Sequence, residues 1–356
     1  MKIAVLNDTH CGARNASDTF LDYFGKFYSD VFFPYCKEHG IKQILHLGDY
    51  YDHRKYINFK ALHHNRKTFL EPMRDLGMTM DIIPGNHDVV YKNTNDLCSL
   101  KELLGFFVEN VNIVMKPKVM SYDGCNIALI PWINPENFEE SMKFVETCPA
   151  TILAGHLELK GFDVLPGMPA HDGMDPKVFS RFEEVWSGHY HTKSRKDNIH
   201  YLGTQFEMTW ADVNDNKYFH VFDTETRQLT EIRNPNTIFE KYLYNDNSIA
   251  LDPDSLDVSF ATGRFVKVIV MHKKDFFKFD RFIDRLQKQN PLELKIAENY
   301  EEFTGTNVQD ETVGPISDTS QLIDSYVDAV ETSLNKDTIK TKLRELHVEA
   351  QNLEMV

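Results

Sequence analysis

The chain has 356 residues, 42% hydrophobic and 12% aromatic, with a formal charge of −15. That length accommodates a catalytic domain of ordinary size plus something smaller, with a real apolar core. No apolar run reaches the roughly 18 residues of a membrane span, and the acidic balance excludes a passive nucleic-acid coat, whose affinity comes largely from Lys and Arg.

The opening "MKIAVLNDTH" runs straight into a strand pattern with no signal peptide before it. Further short apolar runs, "QILHLGD", "MDIIPGN", "NIALIPW", "TILAGH" and "EVWSGHYH", also read as strands. "FLDYFGKFYSDVFFPYCKEHG" and "FKALHHNRKTFLEPMRDLG" read as helices, each closed by a Gly at the expected stop. "HYLGT" and "YFHVFDTETRQL" read as late strands with a turn at "DTET". Alternation of this kind predicts an α/β fold, a layered domain over residues 1–238 with helices flanking its sheets. From 239 to 303, "RFVKVIVMH", "KDFFKFDRFIDRLQKQ" and "LELKIA" predict a small β–α–β domain. A polar, acidic linker comes next at 304–317. Residues 318–352 then carry Leu322, Tyr326 and Val330 on one helical face and Ile339, Leu343 and Leu346 on a second, with a short turn between. Five scattered cysteines without a CxxC pair point to reduced thiols and a cytoplasmic protein.

Each early strand ends in the same class of residue. "LNDTH" supplies Asp8 and His10, "LGDYYD" Asp49 and Asp52, and "PGNHD" Asn86, His87 and Asp88. "AGH" supplies His156, and "SGHYH" His189 and His191. Ligands in α/β sheets sit beyond the carboxyl ends of the strands, so the five clusters are expected to converge. A mixture of His, Asp and Asn donors suits manganese, iron or zinc, whereas an all-oxygen cage suits calcium or magnesium. Asp49, with two oxygens, is the natural bridge between two cations. A lone His such as His46, His200 or His220 reads instead as a structural residue.

The ordered set DxH, GDxxD, GNHD, GH and GHxH, spanning residues 8–191, resembles the calcineurin-like metallophosphoesterases, whose domain is a layered β-sandwich flanked by helices. The resemblance implies two Mn2+ ions, with Mg2+ as the alternative. One would be held by Asp8, His10, Asp49 and His191, and the other by Asp49, Asn86, His156 and His189. Such a pair, about 3.5–4 Å apart, readies water and clamps phosphoryl oxygens. His87 would stand near the scissile phosphate, and Asp88 would orient its ring and raise its pKa, helix-start capping being an equally simple role for that Asp. Asp52 completes the expected catalytic set. Where purple acid phosphatases carry a Tyr, this chain has Asp52; where protein phosphatases carry GDxxDRG and GNHE, it has "GDYYDHRK" and "GNHD".

Basic residues stand in and after these loops. Arg14, Arg54, Lys55, Lys92, Lys193, Arg195 and Lys196 are candidate DNA contacts, with solvated loop charge as the plain alternative. Together with the β–α–β unit, linker and terminal helices, the pattern resembles the SbcD-like double-strand-break repair nucleases, most of all their phage form. That resemblance implies a DNA exonuclease and single-strand endonuclease, in the host cytoplasm if phage-encoded. Its β–α–β unit would be a capping domain that touches DNA. Its terminal helix pair would dock on an SMC-like ATPase of the SbcC type, unless it folds back on the catalytic domain. A homodimer would form through "FKALHHNRKTFLEPMRDL" and "NDLCSLKELLGFF", whose apolar faces serve equally as core. A stand-alone phosphomonoesterase or protein phosphatase is the competing reading, and a DNA-tethering scaffold a third.

Overall fold

In a computed structural model the residues described are 1–105, 109–165, 167–247, 255–297, 327, 336, 338–340 and 342. Two compact units divide the chain, Met1–Gly305 and Thr306–Val356.

Two six-stranded sheets form the centre of the first unit. In chain order the first sheet takes β1 (Lys2–Leu6), β2 (Gln43–His46), β3 (Thr79–Ile82) and β4 (Val111–Ile113). The second takes β5 (Lys118–Tyr122), β6 (Cys125–Ile130), β7 (Ile152–His156) and, past a small hairpin of β8 (Asp163–Leu165) and β9 (Met168–Pro169), β10 (Glu184–Gly188), β11 (Ser194–Lys196) and β12 (Ile199–Tyr201). The chain then returns to the first sheet with β13 (Tyr218–Asp223) and β14 (Gln228–Arg233). β1, β2 and β3 run parallel in one sheet, as do β6, β7 and β10 in the other.

Central strands read as unbroken apolar runs because both of their faces are buried. In β1, Ile3 and Val5 enter the layer between the sheets beside Leu129, Ile152 and Trp186, while Ala4 and Leu6 enter the layer beneath the helices. A third apolar layer covers the far side of the second sheet and takes Val145 from helix Phe138–Thr147. The result is the helix-flanked β-sandwich expected of the motif set. "HYLGT" is a difference: it pairs with β10 in the second sheet, whereas the strands joined through "DTET" are β13 and β14 of the first.

The two long helices contain prolines that the periodicity alone runs through. A proline inside a helix lacks its N–H and crowds the carbonyl four residues back. Each helix absorbs this by widening one turn. Asp18–Phe27 passes through a π turn at Tyr28–Phe32 before Pro34, and Phe59–Asn65 through a π turn at Arg66–Leu70 before Pro72.

The smaller sheet carries one strand more than the sequence pattern predicts. β15 (Phe239–Asn245), β16 (Phe265–His272) and β17 (Glu293–Ala297) lie side by side and parallel. Helix Phe276–Gln287 covers one face through Phe279, Phe282, Ile283 and Leu286. Phe265 stacks on Phe20 at 5.7 Å and thereby joins this sheet to the main core. In the second unit Val327 is helical and buried, and Ile339 is helical and half-buried; Leu322, Tyr326, Val330, Leu343, Leu346 and the 304–317 linker lie outside the described residues. Among the described residues no helix is long and apolar enough to cross a membrane.

Candidate metal centre

Five loops meet at one end of the sandwich, three from the first sheet and two from the second. Asp8 and His10 follow β1, Asp49 and Asp52 follow β2, and Asn86 to Asp88 follow β3. His156 ends β7, and His189 and His191 follow β10. Four of these residues, Asp8, His10, Asp49 and His189, hold left-handed backbone with φ between 41° and 87°. Non-glycine residues adopt that region at a cost, and here it turns short loops sharply inward. Glycines permit the crossing. A Cβ on Gly85 would lie 2.2 Å from Asp49 Oδ1, and one on Gly48 2.6 Å from the Gly85 amide nitrogen. "GD" and "GN" are therefore two halves of one backbone contact.

All seven expected donors come together, in two groups. Asp8, His10 and His191 form one; Asp49, His156 and His189 form the other, with ligand atoms within 4.8 Å of one another in each, and His10 belongs as well to a third such group with Asp52 and His87. His10 Nε2 and His191 Nε2 lie 3.1 Å apart, and Asn86 Oδ1 lies 2.9 Å from both His156 Nε2 and His189 Nδ1. Donors about 2.1 Å from one ion at right angles stand about 3.0 Å apart, so these separations are edge lengths of a coordination shell. Asp49 Oδ2 sits between the groups, 3.3 Å from His156 Nε2 and 3.7 Å from His10 Nε2. Among the described residues the ion-pair partners of Asp8 and Asp49 are imidazoles rather than Lys or Arg. Two buried carboxylates so placed fit divalent cations.

Outer contacts aim the rings. His156 Nδ1 donates to the Leu47 carbonyl at 2.8 Å, leaving Nε2 free to face the site. His10 Nδ1 lies 3.2 Å from Asp52 Oδ1. Asp8 accepts from the amide of Asn7 and from the His189 backbone N–H. Burial opposes charge on His10 and His156, but Asp52, Asp49 and Asp8 around the first and Asp49 and Asp8 around the second prevail and raise each to about 9. Burial and His10 take His191 down to about 4; burial and His156 hold His189 well below its usual range. Burial works against Asp49 too, yet His156, His87 and His10 keep it ionised, well below the usual carboxylate range. Each group thus holds one imidazole whose charge is favoured and one whose charge is opposed.

His87 departs from the expectation in both partner and charge. Its Nδ1 donates to the Asp52 carbonyl at 2.6 Å, and burial outweighs Asp49 to lower its pKa. The Asp88 carboxylate is occupied elsewhere, accepting from the backbone N–H groups of Tyr50, Tyr51 and Gly85 at 3.0, 3.1 and 2.9 Å. Asp88 is a strut between two ligand loops rather than the orienter of His87. Its side chain is buried in the loop crossing, away from the His87 ring, and that is the reason.

The basic rim divides. Arg14 donates to the Met208 carbonyl at 2.8 Å and lies over Phe20; Lys193 pairs with Glu231 at 2.8 Å; Arg195 lies 3.9 Å from Glu184; Lys196 reaches the Gly161 carbonyl. Arg54 is half-buried, and Lys55 and Lys92 are exposed. Two neighbours of the centre escape sequence reasoning. Trp132, closing "LIPW", packs its ring 5.4 Å from that of His189. Lys217, buried, pairs with Asp212 at 2.6 Å and Asp215 at 2.8 Å and donates to the His191 carbonyl at 3.3 Å. Only the "DVNDNK" charge cluster hinted at the second.

Residues 1–239 match the family model described as calcineurin-like phosphoesterase. Exonuclease subunit 1 of Enterobacteria phage T4 is 31% identical over 353 residues, covering 98% of this chain and 99% of its own length. A solved archaeal phosphodiesterase is 13% identical with a TM-score of 0.34, covering 66% of this chain and all of its own, too slight a likeness to argue from.

Proposed function

The chain belongs to the calcineurin-like phosphoesterases, and on that premise we propose that it is a manganese-dependent DNA nuclease, the catalytic subunit of an ATPase-linked complex that processes DNA ends. The observation that carries the reading is the placement of Asp49 Oδ2 between two donor groups, 3.3 Å from His156 Nε2 in one and 3.7 Å from His10 Nε2 in the other. Asp8, His10, Asp49 and His191 would hold one Mn2+ and Asp49, Asn86, His156 and His189 the other, with Mg2+ as the alternative. When bound, the ions supply an activated water and neutralise the phosphoryl oxygens.

The chain's own residues do the rest. Asp49 and Asp8 are fixed by hydrogen bonds from backbone N–H groups, so they need not reorganise when substrate enters. His87, neutral when the site is empty of phosphate, presents Nε2 because Nδ1 is committed to the Asp52 carbonyl. An anionic phosphodiester beside the ring raises its affinity for a proton, which it can then hand to the departing sugar oxygen. Arg54, Lys55 and Lys92 would carry flanking phosphates, as a polymer substrate requires. The full-length similarity to a phage exonuclease subunit supports a phage-type nuclease acting in the host cytoplasm with a partner. Residues 239–303 would cap the site, 304–317 would link, and 318–352 would dock on an SMC-like ATPase; a homodimer is part of the same reading.

The test is the purified full chain with manganese, end-labelled linear duplex, circular single strand and a chromogenic phosphomonoester as competitor. Release of nucleotides from the duplex and nicking of the circle, little affected by the monoester, is the expected result. Preference for the monoester would favour a stand-alone phosphatase instead.

A further inference from the structure

Beside the metal centre, a cleft of about 110 Å3 opens between the loop after β1 and the loop after β2, lined among others by Cys11, Asn15, Tyr51, His53, Tyr56 and Asn58. That is several times the roughly 10–15 Å3 that one water needs. One lining residue connects it to the centre: His53 lies 3.5 Å from Asp52, which in turn lies 3.2 Å from His10.

Three features of this cleft find no use in the centre itself. Tyr56 is 63% exposed, although burying an aromatic ring is among the larger gains available to a fold. His53 braces one face of it, with ring centroids 4.5 Å apart and planes within 22°, which leaves the other face open. Tyr51 is 1% exposed, and its hydroxyl is buried without a hydrogen-bond partner among the described residues. A buried hydroxyl without a partner is a standing cost unless something arrives to satisfy it. A flat, open ring face, a buried polar atom and room for a planar heterocycle are together complementary to a nucleobase.

We propose that this cleft receives an unstacked base of the strand being cut, stacked on the free face of Tyr56 and hydrogen-bonded by the Tyr51 hydroxyl, next to the scissile phosphate. The proposal rests on the DNA-nuclease reading and deepens it: the preferred substrate is unpaired or fraying DNA, whose bases can leave the stack. Every base offers a π face, so the subsite is tolerant of sequence.

The experiment is a binding cycle on the full chain with manganese, in a His87→Ala background so that the strand survives. Thymidine oligonucleotides are compared with an abasic strand of equal length and charge. Adding Tyr56→Ala should weaken binding of the thymidine strand roughly five- to a hundredfold, the range that base–aromatic stacking spans, with a much smaller effect on the abasic strand. Tyr56→Phe should restore the difference. Tyr51→Phe should also weaken the thymidine strand while leaving Tm unchanged or higher, because it removes a hydroxyl that has no partner in the free protein. Equal weakening of both strands by Tyr56→Ala, or none, would overturn the cleft assignment and leave the nuclease reading standing. A chain that binds neither strand would overturn both.

Discussion

Replacing Asp88 with alanine should destabilise the catalytic unit rather than retune His87. The carboxylate is fully buried and accepts from the backbone N–H groups of Tyr50, Tyr51 and Gly85. Three hydrogen bonds at about 1–1.5 kcal/mol each amount to about 3–5 kcal/mol, and the stranded donors keep the loss from being softened. At about 2.1 cal/mol/K per residue, a unit as long as Met1–Gly305 shifts its Tm by about 1.5–2 °C for each kcal/mol, so the melting point should fall by roughly 5–10 °C. Asp88→Asn should lose about half of that, since Oδ1 can still serve Tyr50 and Tyr51 while the amide nitrogen faces the Gly85 N–H. Differential scanning calorimetry on the metal-free chain gives the shifts, and the pH profile of cleavage gives the second readout. A melting point within about 2 °C of the parent, together with a displaced pH profile, would refute the strut and restore Asp88 as the partner of His87.

Further outcomes follow from the same geometry. His87→Ala should retain both cations but lose cleavage by about 10²–10⁴-fold, whereas Asp49→Ala should lose metal and activity together; elemental analysis beside a nuclease assay decides. Lys217→Met leaves the buried Asp212 and the half-buried Asp215 without their ammonium and should cost about 3–5 kcal/mol by urea titration, with weaker manganese affinity because the His191 carbonyl loses a donor. Burial pushes Glu207 up to about 7 despite the Ile238 and Phe239 N–H groups that donate to it. A raised carboxylate stabilises the fold fully below its unfolded value and loses that contribution as pH climbs through about 7. Tm should therefore decline between about pH 5 and 8, and Glu207→Gln should flatten that slope; an unaltered slope would exclude this residue as its source.

Parts of the fold are legible because burial on two faces leaves no other composition. β1, β2, β3, β7 and β10 read as apolar runs in the chain, and the polar residues ending them are conspicuous for the same reason. β4, with three residues, and β15, whose pattern mixes Lys and Glu with aromatics, lack a run long enough to stand out. The π turns before Pro34 and Pro72 are invisible to periodicity, since a widened turn keeps the apolar face continuous.

By itself the order of residues determined the donor inventory and the sheet-ending position of each donor. It could not determine directions. Asp88 and His87 are adjacent in the chain, yet one side chain turns into the loop crossing and the other toward the site. Arg14 and Lys193 stand in catalytic loops, yet both end on partners far along the chain, Met208 and Glu231. Those outcomes depend on left-handed backbone at a few loop positions and on two sheets meeting face to face, which brings Asp8 against His189 across 181 positions of sequence. Chain order sets which residues cluster at the end of a strand; packing between distant segments sets where their side chains point.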